Sequence, residues 1–202
     1  MIETRYKQCC ETNSDINQHL PTLYQISKEC DSIIELGVRA IVSTYAFLIA
    51  RPKSLLSVDI VHPEEYEESS NTKIEEIEKW SKENNVDFQL KIANTLKIEL
   101  PEVDFIFIDT QHNYRHLISE LNIHGNKAKK YLAFHDTTLF GYRDNFAYDK
   151  LQEEGQYGKY AESLLQGLNA AIFEFQQHNP HWKVHQIYTN NNGLTILKRD
   201  DV

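Results

Sequence analysis

Short apolar runs alternate along this chain with segments whose apolar residues recur every three or four positions. The first pattern predicts buried strands and the second predicts amphipathic helices. Ser32-Ile33-Ile34-Glu35-Leu36-Gly37-Val38 reads as a first strand, and Leu55 to Ile60 as a second. Between them, Ser43 and Thr44 are good helix N-cap types, and Tyr45 to Ala50 reads as a buried helix that stops before Pro52. Ile74, Ile77 and Trp80 lie three apart on a further helix, followed by a third strand from Phe88 to Ile92. Phe105 to Ile108, ending at Asp109, is the fourth strand. Tyr114, Leu117, Ile118 and Leu121 then mark a helix, and Tyr131 to Phe134, ending at His135-Asp136, is the fifth strand. Leu164, Leu165, Leu168, Ile172 and Phe175 line one face of a long helix. Two strand-like runs close the chain, Trp182 to Tyr188 and Leu194 to Leu197, with the turn signal Asn190-Asn191-Asn192-Gly193 between them. Residues 1–30 read as a helical extension in which Pro21 breaks or restarts the helix.

Strands separated by helices predict an α/β fold with a parallel sheet. A tight turn cannot join neighbouring parallel strands, so one of the last two strands must run antiparallel. The expected architecture is a Rossmann-like, seven-stranded, mostly parallel sheet with a C-terminal antiparallel hairpin. A length of 202 residues suits one domain over 1–202. No apolar run approaches the roughly 18 residues of a membrane span, and the N-terminus lacks the apolar core of a signal peptide. The expectation is therefore a cytoplasmic protein with no membrane partner. A net charge of −9 argues against nucleic acid. The three cysteines, Cys9, Cys10 and Cys30, form neither a disulfide framework nor a zinc spacing, and are expected to be reduced.

Ligands of such sheets sit beyond the carboxyl ends of the strands. The polar residues expected there are Glu35, Gly37, Asp59, Asn94, Thr95, Asp109, His112, His135 and Asp136. Gly37 permits a tight turn or close backbone approach, and the helix beginning near Ser43 offers free N–H groups. A carboxylate at Asp59 suits two ribose hydroxyls. Asp109 and His112, with His135 and Asp136, bring acids and imidazoles to two adjacent strand ends. Carboxylate oxygens suit Mg2+, and imidazole widens the choice to Mn2+, Fe2+ or Zn2+. The segment from Gly141 to Tyr160 carries three glycines among aromatics and is expected to be a mobile lid or substrate wall; packing or dimer contacts are the alternative, which leaves a homo-oligomer open.

Four stretches carry a family resemblance. IELGVRAIVSTYAFL (Ile34–Leu48) resembles motif I of class I S-adenosylmethionine (SAM)-dependent methyltransferases. FIFIDTQHNYRHLISEL (Phe105–Leu121) and YLAFHDTTLFG (Tyr131–Gly141) resemble the methyltransferase-24 and cephalosporin-hydroxylase-like group, as does the tail Gly167–Arg199. The resemblance implies a SAM-binding crevice at Glu35, Gly37 and Asp59, with Asn94 or Thr95 near the adenine; Ser43 at the helix start and Asp109 are expected to contact the cofactor as well, and Asp109 to take part in catalysis. It implies a divalent cation, Mg2+ foremost, on Asp109 and Asp136 with His135 beside it, His112 as general base, and O-methylation of a small-molecule hydroxyl on a sugar or natural product. The chain departs from the pattern at Ile41 and Val42, where the family carries glycine at one or both positions. A nicotinamide-dependent oxidoreductase is disfavoured because no G-x-G-x-x-G follows the first strand. A non-catalytic SAM-binding or assembly protein on the same fold is the other alternative.

Overall fold

The computed structural model describes residues 2–66, 73–145 and 166–200. Seven strands form one sheet: β1 (Ser32–Leu36), β2 (Ser54–Asp59), β3 (Asp87–Ile92), β4 (Val103–Ile108), β5 (Ala128–His135), β6 (Trp182–Tyr188) and β7 (Leu194–Arg199). Their order is β3-β2-β1-β4-β5-β7-β6. The first five strands are parallel to one another, and β7 is antiparallel to both β5 and β6. This is the seven-stranded α/β architecture expected from the sequence. The Asn190–Gly193 turn is the hairpin between β6 and β7, with Gly193 at φ 96°.

Six helices cover the sheet among the described residues: α1 (Ile2–Glu11), α2 (Leu20–Ser27), α3 (Val42–Ile49), α4 (Ile74–Glu83), α5 (Tyr114–His124) and α6 (Gly167–His178). The period-2 alternation of the strands divides the core in two. Ile33, Phe105, Phe107, Tyr131 and Ala133 face α1 to α4, whereas Ile34, Ile106, Ile108, Leu132 and Phe134 face α5 and α6. Phe47, Phe105, Phe107 and Phe134 are each at most 1% exposed, and burying one such ring contributes on the order of 2–3 kcal/mol. Pro21 falls within the first turn of α2, where its missing N–H costs nothing. No helix of the described residues is long and apolar enough to cross a membrane. Of the long-helix stripe, Leu168, Ile172 and Phe175 are buried on α6, while Leu164 and Leu165 lie outside the described residues.

One local expectation is corrected. Ser43 and Thr44 do not cap α3; they lie inside its first turn, and the N-cap is Ile41. Ile41 is in the left-handed region (φ 61°) and is 1% exposed. A β-branched residue there is a true outlier. The helix starts early because both hydroxyls are drawn inward by a buried acid rather than turned to free N–H groups.

The carboxyl ends of β1 and β4 nearly touch. A Cβ placed on Gly37, which has φ +88°, would lie 1.9 Å from the Asp109 carbonyl oxygen. Both the conformation and the space therefore require glycine. Gly37→Ala should destabilise the protein by roughly 2 kcal/mol or more, beyond the usual penalty for alanine at positive φ. Urea unfolding monitored by circular dichroism measures this; a midpoint equal to that of the unaltered protein would refute the close approach.

Candidate active site

The loop after β1 is held from below by Glu35 and from the side by Asp59. Glu35 is fully buried. Its carboxylate accepts hydrogen bonds from Ser43 Oγ (2.5 Å), Thr44 Oγ1 (2.8 Å) and Ser57 Oγ (2.6 Å). Burial pushes its pKa up to about 7, against the three hydroxyls, which pull it down. Asp59, 8% exposed, accepts from the backbone N–H groups of Val38 (2.7 Å) and Arg39 (2.9 Å) on Oδ2, and of Val61 (3.0 Å) on Oδ1. Glu35 and Ser43 thus lie beneath the crevice floor and brace it, while Gly37 and Asp59 stand at its edge. Asn94 caps its own turn by accepting from Leu96 N–H (2.8 Å). Thr95 is buried, and its hydroxyl donates to Glu120 Oε1 (2.5 Å).

The four residues at the ends of β4 and β5 come together. His112 Nε2 is 3.3 Å from Asp109 Oδ1 and 2.8 Å from Asp136 Oδ2. His135 Nδ1 is 3.3 Å from Asp109 Oδ2 and 3.6 Å from Asp136 Oδ2. Asp136 has φ 61°, so the chain turns sharply after β5. An aspartate tolerates that conformation better than most residues. The His112 ring stacks on Phe140, with centroids 4.9 Å apart and planes 12° apart. Burial would lower the pKa of His112, but its hydrogen bonds to Asp109 and Asp136 push it up to about 10. Burial likewise opposes, and Asp109 with Asp136 overcomes it, in raising His135 to about 9. Against the effect of burial, the two histidines hold the Asp109 carboxyl well below the usual carboxylate range. The two carboxylates thus favour the protonated form of His112. It differs in this from the ready base expected of an ordinary histidine, and it can accept a proton only once the carboxylates are otherwise engaged.

Two features were not legible as site components. Glu120 on α5 is fully buried and accepts from Thr95 and from Thr110 Oγ1 (2.8 Å), with His116 Nε2 at 3.1 Å. The signal was an acid three residues after Leu117, on the apolar face of its helix. The second is a strap, residues 14–19, which crosses the strand ends and docks on the β6–β7 hairpin. Asn191 Nδ2 donates to the Ser14 carbonyl (2.6 Å), and Asn191 Oδ1 accepts from Gln18 N–H (2.9 Å). Arg39 reaches Asp15 at 3.2 Å. No local pattern announces a contact between segments about 170 residues apart. Of the expected lid, Gly141 to Asn145 are described, and Tyr142 is exposed; the remainder, with Phe146, Tyr148, Tyr157 and Tyr160, lies outside the described residues.

Comparison with solved structures places this geometry. SAH-bound PaMTH1, a methyltransferase from Podospora anserina, superimposes with TM-score 0.55 at 14% identity over 99% of this chain and 88% of its own. The N-methyltransferase NodS from Bradyrhizobium japonicum gives 0.57 at 10% identity, covering 94% of this chain and 98% of NodS. An O-methyltransferase family protein from Burkholderia thailandensis gives 0.54 at 12% identity over 91% of this chain and 56% of that protein. The chain has the class I methyltransferase fold. At these identities the likeness extends to the fold alone. No family model matches the sequence, and no curated protein matches it; the methyltransferase-24 resemblance therefore stands on the motifs alone. Within the methyltransferase fold, the Asp109–Asp136 cluster and Gly37 lie at the carboxyl ends of β4, β5 and β1, where ligands of doubly wound sheets bind.

The buried Glu35 makes a pH-dependent contribution to stability with a defined sign. The unfolded chain releases this proton near 4.5 and the folded chain near 7, so stability falls as pH rises between those values and levels off above. Glu35→Gln removes that titration. Relative to the variant, the unaltered protein should lose on the order of 3 kcal/mol between about pH 4.5 and 7. Parallel pH dependences in chemical denaturation would contradict a neutral Glu35 in the folded state.

Proposed function

We propose that this chain is a SAM-dependent methyltransferase that methylates a hydroxyl group of a small molecule, with a divalent cation between Asp109 and Asp136. The observation that carries the reading is the pairing of these two acids with His112 and His135 beside Gly37, at the ligand-binding end of a methyltransferase fold. Neighbours of this fold include both an O-methyltransferase family protein and an N-methyltransferase. A cation on carboxylates favours an oxygen acceptor, since metal binding lowers the pKa of a hydroxyl.

The residues fit a cation. Ligand atoms of Asp109, His112 and Asp136 lie within 4.8 Å of one another. Asp136 Oδ1 and His135 Nδ1 are buried without a hydrogen-bond partner. A dication held by the two carboxylates would supply Lewis-acid activation of the acceptor oxygen. Asp109 and Asp136 would hold it, and His112, relieved of both carboxylates, would be free to take the acceptor's proton. Phe140 fixes the imidazole plane for that transfer. Asp59 would exchange its contacts with the Val38 and Arg39 amides for ribose hydroxyls, and Gly37 would allow the cofactor to approach the backbone.

A second reading has its own support. Ile41 is buried in a strained conformation, at one of the two positions (41 and 42) where the pattern the sequence resembles usually has glycine at one or both, and Asp59 is already engaged by the loop. Both suit an assembly or binding protein that keeps the fold without the cofactor. Calorimetric titration with S-adenosylhomocysteine decides between them. Under the proposed reading it binds one to one, and Asp59→Ala weakens it by about 10- to 150-fold, the scale of a hydrogen bond to a charged group. No heat at millimolar ligand would defeat the SAM-dependent reading and leave the assembly protein.

A further inference from the structure

His135 has its two ring nitrogens in opposite environments. Nε2 lies 3.0 Å from the Asp15 carbonyl oxygen and 3.2 Å from that of Asn191. Carbonyls only accept, so Nε2 carries a hydrogen and Nδ1 is the nitrogen that can be given to a metal. Nδ1, on a ring 2% exposed, faces the carboxylates of Asp109 and Asp136 and makes no hydrogen bond. This is the arrangement of a metal-binding histidine, whose second nitrogen is anchored by an outer acceptor that orients the ring.

The anchor is built from both ends of the sequence. The Asn191 carbonyl also accepts from His19 Nε2 (3.1 Å), which lies 3.0 Å from the Asn190 carbonyl as well. The His19 and His135 rings meet edge to face at 5.8 Å. Asn190 Nδ2 donates to Gln18 Oε1 (2.6 Å), adding to the two bonds that Asn191 makes with the strap. The strap and the hairpin thus hold the His135 ring with Nδ1 aimed into the cluster. His112 presents Nε2 from the other side.

We propose that this cluster is an imidazole-ligated site for a first-row transition-metal ion rather than a Mg2+ site, with residues 14–19 and 190–192 forming the outer layer that orients His135. Mg2+ demands an octahedron of oxygen ligands and retains several waters. An imidazole set against two carboxylates instead suits Mn2+, Fe2+, Co2+ or Zn2+, with affinity rising along that series from Mn2+ to Co2+. The inference deepens the reading of this crevice as a cation site, and its test uses neither turnover nor cofactor.

The full chain is stripped with a chelator and titrated with Co2+, followed by visible ligand-field absorption, and by calorimetry with Mn2+, Zn2+ and Mg2+. One Co2+ per chain should bind with a spectrum of mixed nitrogen and oxygen ligation, and Zn2+ should bind about 100-fold or more tightly than Mg2+. His135→Gln should weaken Co2+ about 10- to 100-fold and shift its spectrum while leaving Mg2+ within about threefold. Asn191→Ala, which loosens the strap and retains every ligand, should weaken Co2+ about 10-fold. Equal affinity for Mg2+ and Zn2+ would overturn the proposal and leave the cation reading standing. An unchanged Co2+ affinity and spectrum in both variants would remove His135 and its anchor from the site. No binding of any metal would show that the histidines merely bridge the acids, and would defeat the cation reading too. The measurements on the unaltered protein stand even where a variant folds poorly.

Discussion

The backbone of Gly37 lies against the carbonyl of Asp109, and the rest of the crevice depends on that approach. The ends of β1 and β4 are joined by a hydrogen bond from Asp109 N–H to Leu36 O (2.8 Å), while Gly37 N–H donates to Val58 O of β2 (2.9 Å). A side chain at position 37 would hold β1 and β4 apart at their carboxyl ends. Asp109 would then lose its place beside Asp136, and the loop carrying Val38 and Arg39 would lose its seat on Asp59. The site is a consequence of strand spacing before it is a matter of side-chain chemistry.

Two buried carboxylates flank this floor. Glu35 collects hydroxyls from α3 and β2, and Glu120 collects Thr95 and Thr110 from the loops after β3 and β4. An unsatisfied buried carboxylate would be strongly destabilising, whereas one fully provided with donors fixes the relative positions of the elements that supply them. Each acid therefore ties together the elements that supply its donors. Rigid loops in turn let Asp109, His112, His135 and Asp136 hold short mutual distances despite the repulsion between the acids.

Much of this architecture was legible in the chain. The apolar runs at 55–60 and 105–108 and the asparagine-rich turn before Gly193 specified strands and hairpin because burial and turn chemistry are local properties. The acids and histidines at the ends of β4 and β5 were legible for the same reason: in this topology a strand's last residue faces the crevice. Ser43 and Thr44 were misassigned because capping preference is also local, and the tertiary pull of Glu35 overrode it. Glu120 went unread, since the threonines it accepts from lie on other elements. The strap was invisible because nothing in residues 14–19 encodes the hairpin that receives them.

Because β7 runs against β5, the hairpin that leads into it lies at the same end as the parallel strand termini. Asn191 consequently meets the strap some 170 residues after the strap has been synthesised. During translation the sheet from β1 to β5 can assemble while its histidine still lacks the Asn191 half of its anchor. The crevice wall closes only as the final hairpin leaves the ribosome, so the timing of synthesis separates formation of the scaffold from maturation of the site. A nascent chain halted before residue 190 would carry every acid and imidazole of the cluster in a half-built enclosure open to solvent.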